Sequence, residues 1–407
     1  MDNKLLSEYA ELIVALGVNV QVGQEVIIRA ELDQPEFIRM LTKTCYEHGA
    51  SNVTVRWEDQ QLTRMNYEYK TESDLGKVEK WEEVRLEHEA EILPARIYIE
   101  SEDPDGLDGI DTVKYANAIA MRYRIIKPIR DRMENKYQWC IAAVPGKKWA
   151  EKTFPGYENA EEMLWEAILN ASRVTGNAVE QWNMHNKKLH ERCDYLNALK
   201  LRKLIYKSSN GTDFSVELIP DALFCAGSEK LQDKDIWYNA NIPSEEVFTS
   251  PMAGKAEGIV YSTRPLCYRG MVIESFCFEF KDGKVSNISA SNNEDVLRKM
   301  VETDEGSCML GECALVPYEN PIRKSKCRLF YNTLFDENAA CHLALGDGFT
   351  SCIKDYEKYS MEECRKKGIN DSMIHEDFMI GSEDMDITGI TENGDRVKIF
   401  ENGNWAF

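Results

Sequence analysis

Six residues in the C-terminal half of this 407-residue chain, Glu246, Glu312, Glu337, His342, His375 and Asp377, have the side-chain types that hold a hard-to-borderline divalent cation. Such a cation takes anionic oxygens and neutral imidazole nitrogens and needs no thiolate. There are six histidines in all, His48, His88, His185, His190, His342 and His375, and the last two lie in short apolar segments beside acidic residues. Together they point to a two-metal hydrolytic site.

Taken singly, each segment also has an ordinary reading. NIPSEEVFTSP, residues 241–251, sets Glu245 and Glu246 in a turn between two prolines, either as a solvated acidic turn or as carboxylates held together by a cation. DEGSCMLGECALVP, residues 304–317, begins in a helix-like way and places Glu312 at the edge of an apolar stretch, where a carboxylate needs a partner or a metal. NTLFDENAACHLALGDGF, residues 332–349, carries Glu337 and His342 around two small alanines; His342 alone would pass for a core histidine. In SMIHEDFMIGS, residues 372–382, an extended backbone turns His375 and Asp377 to the same side, away from Ile374, Glu376 and Phe378. Coincidence is a poor explanation for all of them in one half of the chain.

The elements that must position these groups fall into two textures. Residues 1–200 alternate helix and strand. Leu5, Tyr9, Leu12, Ile13 and Leu16 recur at helical spacing up to Gly17; EVIIRA (25–30) reads as a buried strand; Phe37, Ile38, Leu41 and Cys45 mark a helix capped by Gly49; NVTVRW (52–57) is a second strand. A helix between two strands implies a right-handed crossover in a parallel sheet, and the pattern recurs through residues 95–101, 114–135 and 138–145. With neither GxGxxG nor GxxxxGKS/T present, this α/β domain reads as scaffold. Helices are expected over 160–172 and 178–200, with His185 and His190 as surface residues of the second. Residues 201–407 read as a β-rich α+β domain bearing the metal site, with a hairpin at Asn210-Gly211 and strands over 258–290 turning at Asp282-Gly283.

Composition excludes several classes. With 49 basic and 70 acidic side chains the net charge is −21, which argues against nucleic-acid and anionic-lipid partners. No secretory signal pattern and no long uncharged apolar run occurs, and the twelve cysteines form neither a CxxC pair nor a framework, so a cytoplasmic protein with free thiols is expected. Cys341, next to His342, reads as a small packing residue.

In the order and length of these segments, starting from YAELIVALGVNVQVGQEVIIRA, the chain resembles the M29 family of metal-dependent aminopeptidases from end to end. The resemblance implies an N-terminal α/β domain, a C-terminal domain with two divalent ions (zinc or cobalt, with manganese or magnesium as alternatives), a peptide substrate with a free N-terminus, and a homodimer. It assigns metal binding to Glu246, with Glu245 as its alternative in the doublet, Glu312 as the bridge, Glu337 as ligand or general base, and His342, His375 and Asp377 as further ligands. Phe349 departs from the family pattern, which has a tyrosine there in several members; Tyr356 and Tyr359 are the nearby hydroxyls. A binuclear hydrolase acting on another bond, such as a phosphoester, and a non-catalytic metal- or peptide-binding relative are the alternatives; the mapped segments are short of the Arg and Lys clamps that phosphate calls for.

Overall fold

A computed structural model describes residues 2–220, 222–268 and 271–407. Arg269 and Gly270, inside the stretch expected to form strands over 258–290, lie outside the described residues. The chain divides into two compact units, one of residues 1–182 with 228–243 and one of residues 183–227 with 244–407.

In the first unit four strands, β1 (Glu25–Glu31), β2 (Asn52–Glu58), β3 (Ala95–Glu100) and β4 (Trp139–Ala143), form a parallel sheet in the order β2-β1-β3-β4. The helix between β1 and β2, Pro35–Glu47, buries Phe37, Ile38, Leu41 and Cys45, the stripe read from the sequence. The first helix runs Asn3–Leu12 and widens into a π turn over Ile13–Gly17. Helices Gln60–Tyr69 and Lys80–Ile92, between β2 and β3, are ones the sequence reading left unassigned. The first of them buries no residue, so it shows no core stripe to read.

In the second unit an eight-stranded antiparallel sheet runs in the order 284–289, 277–281, 251–261, 213–218, 201–207, 386–391, 396–401, 404–405. Its 277–281 and 284–289 strands turn at Asp282 (φ 51°) and Gly283 (φ 78°), the left-handed pair that a tight two-residue hairpin requires. A second antiparallel sheet of four strands has the order His375–Met379, His342–Gly346, Leu310–Leu315, Val247–Thr249. Residues 310–315 are therefore strand; the helix-like start read at residue 304 is a series of turns and bends. All six residues of that strand are buried, so the in-out alternation that would announce a strand is missing.

One face of the small sheet joins the core. Cys313, Leu315, Leu343, Leu345 and Phe378 belong to a single apolar cluster with Tyr206, Phe214, Phe276 and Phe278 of the second unit. The Phe378 ring lies 5.0 Å from that of Phe278 and 6.2 Å from that of Phe276. Because strand side chains alternate, anchoring Phe378, Leu343 and Cys313 in the core turns Asp377, His342, Ala344 and Glu312 to the other face. None of the helices among the described residues is long and apolar enough to cross a membrane.

Phe378→Ala should cost about 3–5 kcal/mol, the usual loss for a buried phenylalanine, and Phe378→Leu distinctly less. Urea unfolding followed by tryptophan fluorescence measures both; equal losses would remove Phe378 from its anchoring role.

Candidate metal centre

The register of the small sheet brings the acidic groups together. Glu312 pairs with Ala344 and Ala344 pairs with Asp377, so the two carboxylates flank an alanine across three strands. His342 lies opposite Ala314, and His375 opposite Gly346. Each large polar side chain thus has a small neighbour, which leaves room for the polar groups to converge above the sheet. At Gly346 (φ 104°) an added Cβ would come within 2.0 Å of the Ile374 carbonyl, so only glycine fits there.

Two sets of donor atoms among the described residues lie within 4.8 Å of one another: Glu246, Glu312 and His342, and Glu312, His375 and Asp377. Glu312 belongs to both. His342 Nε2 is 3.3 Å from Glu246 Oε2 and 3.8 Å from Asp377 Oδ1; His375 Nε2 is 3.1 Å from Glu312 Oε2 and 3.6 Å from Asp377 Oδ1. Glu337 lies outside both sets. Its carboxylate is nonetheless close enough to feel the charges of Glu246, Asp377, His342 and Glu312.

Both imidazoles are oriented in the same way. His342 Nδ1–H donates to the Ala340 carbonyl at 3.2 Å, and His375 Nδ1–H donates to the Asp347 carbonyl at 2.7 Å. A carbonyl only accepts, so Nδ1 carries a proton and each Nε2 faces the carboxylates, protonated while no metal is bound and able to ligate one once that proton leaves, the orientation of a metal-binding histidine. Asp377 Oδ1 is buried and accepts no hydrogen bond among the described residues. A buried carboxylate oxygen in that condition calls for a cation. The donor set, the tautomers and this orphan oxygen together fit divalent metal.

The electrostatics agree. Burial, then the charges of Glu246 and Asp377, push the Glu337 carboxyl well above the usual carboxylate range. Burial likewise raises Glu312, against the hydrogen bond from His375. Burial alone would lower the His342 pKa, yet Glu246, Asp377 and Glu312 hold it up at about 10; Asp377 and Glu312 do the same for His375, raising it well above its ordinary value. For Asp377, burial works upward and the imidazoles of His375 and His342 outweigh it, leaving its pKa depressed. Without a metal ion, protons on the imidazoles offset part of the carboxylate charge. A dication would take over that work.

Other residues behave differently from their sequence reading. His185, expected at the surface, is 7% exposed; its Nε2–H donates to the Ser244 carbonyl at 2.8 Å and lies 4.0 Å from Glu245 Oε2. The signal was its place among Trp182, Leu189, Cys193 and Leu196, a buried stripe of the Ala178–Ala198 helix with helical spacing. Asn338, which the sequence reading passed over, is buried and accepts the Glu245 N–H. Phe349 is 37% exposed, with its ring 4.9 Å from that of His375. Tyr356 and Tyr359 pack on an apolar cluster of Ile219, Ile353, Cys364 and Ile369. Cys341 exchanges hydrogen bonds with the Val316 backbone, and burial pushes its thiol up to about 12, so it is a packing residue.

The chain is 42% identical over 406 residues to aminopeptidase AmpS of Bacillus subtilis, covering 99% of this chain and 98% of that protein. It is 37% identical to aminopeptidase T of Thermus thermophilus, with 98% of each chain covered. The solved structure of wild-type AmpT from Thermus thermophilus superposes with a TM-score of 0.90 at 36% identity and 99% coverage of both chains. A 2,5-dihydroxypyridine dioxygenase from Pseudomonas putida matches at a TM-score of 0.54 and 13% identity, covering 100% of this chain and 98% of that one, a likeness of fold alone. The family description "thermophilic metalloprotease (M29)" matches residues 2–405, and with relatives this similar along their whole length, the chain belongs to that family.

Proposed function

We propose that this chain is a metal-dependent aminopeptidase that removes the N-terminal residue of peptides, with residues 201–407 as its catalytic domain. The observation that carries the reading is the pair of donor sets sharing Glu312, in a metalloprotease whose relatives are named aminopeptidases. Glu246, Glu312 and His342 would hold one divalent ion and Glu312, His375 and Asp377 the other, zinc or cobalt first, manganese or magnesium as alternatives. Bound there, such ions supply Lewis acidity for a scissile carbonyl and bring the pKa of water from about 15.7 toward neutrality.

The chain's own residues supply the proton handling and the orientation. Glu337 accepts the proton of the attacking water on Oε2, because Oε1 already accepts a hydrogen bond from Asn338, and then delivers that proton to the leaving amine. Burial, then the neighbouring like charges, raises its proton affinity above that of an ordinary carboxylate. Nδ1 contacts to Ala340 and Asp347 fix the two imidazole planes. Glu245, a carboxylate outside both donor sets, would supply the negative charge that favours the α-ammonium of a peptide N-terminus, which would confine cleavage to the first residue. The working form under this reading is a cytoplasmic homodimer.

Phe349 favours a second reading, a non-catalytic metal- or peptide-binding relative. Its ring packs on His375 and brings no hydroxyl to a developing oxyanion.

Incubation with cobalt or zinc and a leucyl chromogenic amide, beside the N-acetylated compound, separates the readings. Cleavage of the free-amine compound alone supports the aminopeptidase, whereas metal uptake without turnover supports the binding protein. In the active protein, Glu312→Gln should lose bound metal together with nearly all activity. Glu337→Gln should keep its metal and lose about 10²–10⁴-fold in kcat, the range for removal of a general base; metal analysis beside kcat decides, and a Glu337→Gln enzyme of normal kcat would exclude that residue as the proton acceptor.

A further inference from the structure

The turn that carries Glu337 and the loop that carries Glu246 are joined by one side chain, that of Asn338. Asn338 is 0% exposed and sits in the 3-10 turn Glu337–Ala339. Its Oδ1 accepts the backbone N–H of Glu245 at 2.7 Å, across 93 residues of sequence. Its Nδ2 donates to the Leu334 carbonyl at 3.0 Å and to Glu337 Oε1 at 3.2 Å. The amide orientation is unambiguous, since the oxygen faces a donor and the nitrogen faces two acceptors.

The loop is pinned a second time. His185 Nε2–H donates to the carbonyl of Ser244, one residue before the N–H held by Asn338. Fixed at both groups, the backbone enters Glu246 in one orientation, which sends its carboxylate to within 3.3 Å of His342 Nε2. On the other side of the same amide, the bond to Oε1 fixes the plane of the Glu337 carboxylate and leaves Oε2 for a proton.

We propose that Asn338 is a positioning residue whose amide locks the Glu337 carboxylate and the Glu245–Glu246 backbone in register, so that the proton acceptor and a metal ligand stand correctly spaced before substrate arrives. The position demands one acceptor and two donors on a short stem, and asparagine supplies all three. Aspartate has the size and the acceptor but no donor, and would set a second carboxylate against Glu337. The inference rests on the reading of Glu337 as proton acceptor.

The test is a double-mutant cycle of Asn338→Asp and Glu337→Gln, with cobalt content, the visible absorption of bound cobalt, and kcat and KM on a leucyl amide measured for each protein. Asn338→Asp should retain wild-type cobalt content, lower kcat at least 30-fold and change KM less than 3-fold. In the Glu337→Gln background the same substitution should lower kcat less than 3-fold, because a residue acting through Glu337 has nothing left to orient. A full 30-fold loss in that background, a parallel loss of cobalt, or near-wild-type kcat in Asn338→Asp beside an inactive Glu337→Gln would overturn the proposal. An active Glu337→Gln would instead remove the reading it rests on. Should Asn338→Asp fail to fold, Asn338→Ser, which keeps an uncharged hydroxyl on a short stem, is judged by the same kcat criteria at saturating cobalt.

Discussion

Four carboxylates and two imidazoles crowd one face of a four-stranded sheet, and the charge they bring cannot stay there uncompensated. Glu246, Glu312, His342 and Asp377 are all buried, and Asp377 Oδ1 has no hydrogen-bond donor among the described residues. Like charges in a medium of low polarity repel strongly. The sheet holds them there because its opposite face is committed to the core, where Leu343, Leu345, Cys313 and Phe378 are packed. Hydrophobic burial on one side thus sustains an electrostatically strained array on the other. A bound dication, or in its absence protons on His342 and His375, relieves the strain.

Much of the scaffold could be read from the sequence, because its signals are local. The crossover helix Pro35–Glu47 has a clean apolar stripe, and Asn210-Gly211 and Asp282-Gly283 mark tight turns. The small sheet was harder. Its strands Leu310–Leu315 and His342–Gly346 are buried on both faces, so neither alternates, and the first reads only as the apolar continuation of a helix-like start at residue 304. The pairing of Glu312 with Ala344 and of Ala344 with Asp377 joins strands far apart in the chain, and no single segment records it. The HxD spacing of His375 and Asp377 was legible because residues two apart on a strand share a face.

The supporting groups were the least visible. His185 looked like a surface histidine among lysines and asparagines, although it falls in the stripe of Trp182, Leu189 and Cys193. Asn338 gives no periodic signal; its importance comes from meeting Glu245 across 93 residues. The distant likeness to a dioxygenase, at 13% identity, makes the same point at the level of the fold. A shared architecture does not determine chemistry, which resides in the particular side chains the architecture presents.

The central claim, that the two donor sets hold a pair of cations bridged by Glu312, is tested most directly by anomalous diffraction from a crystal soaked in cobalt. The account predicts two anomalous peaks, one among Glu246, Glu312 and His342 and the other among Glu312, His375 and Asp377, both in contact with the Glu312 carboxylate. Density at neither place, with the six side chains ordered, would contradict it.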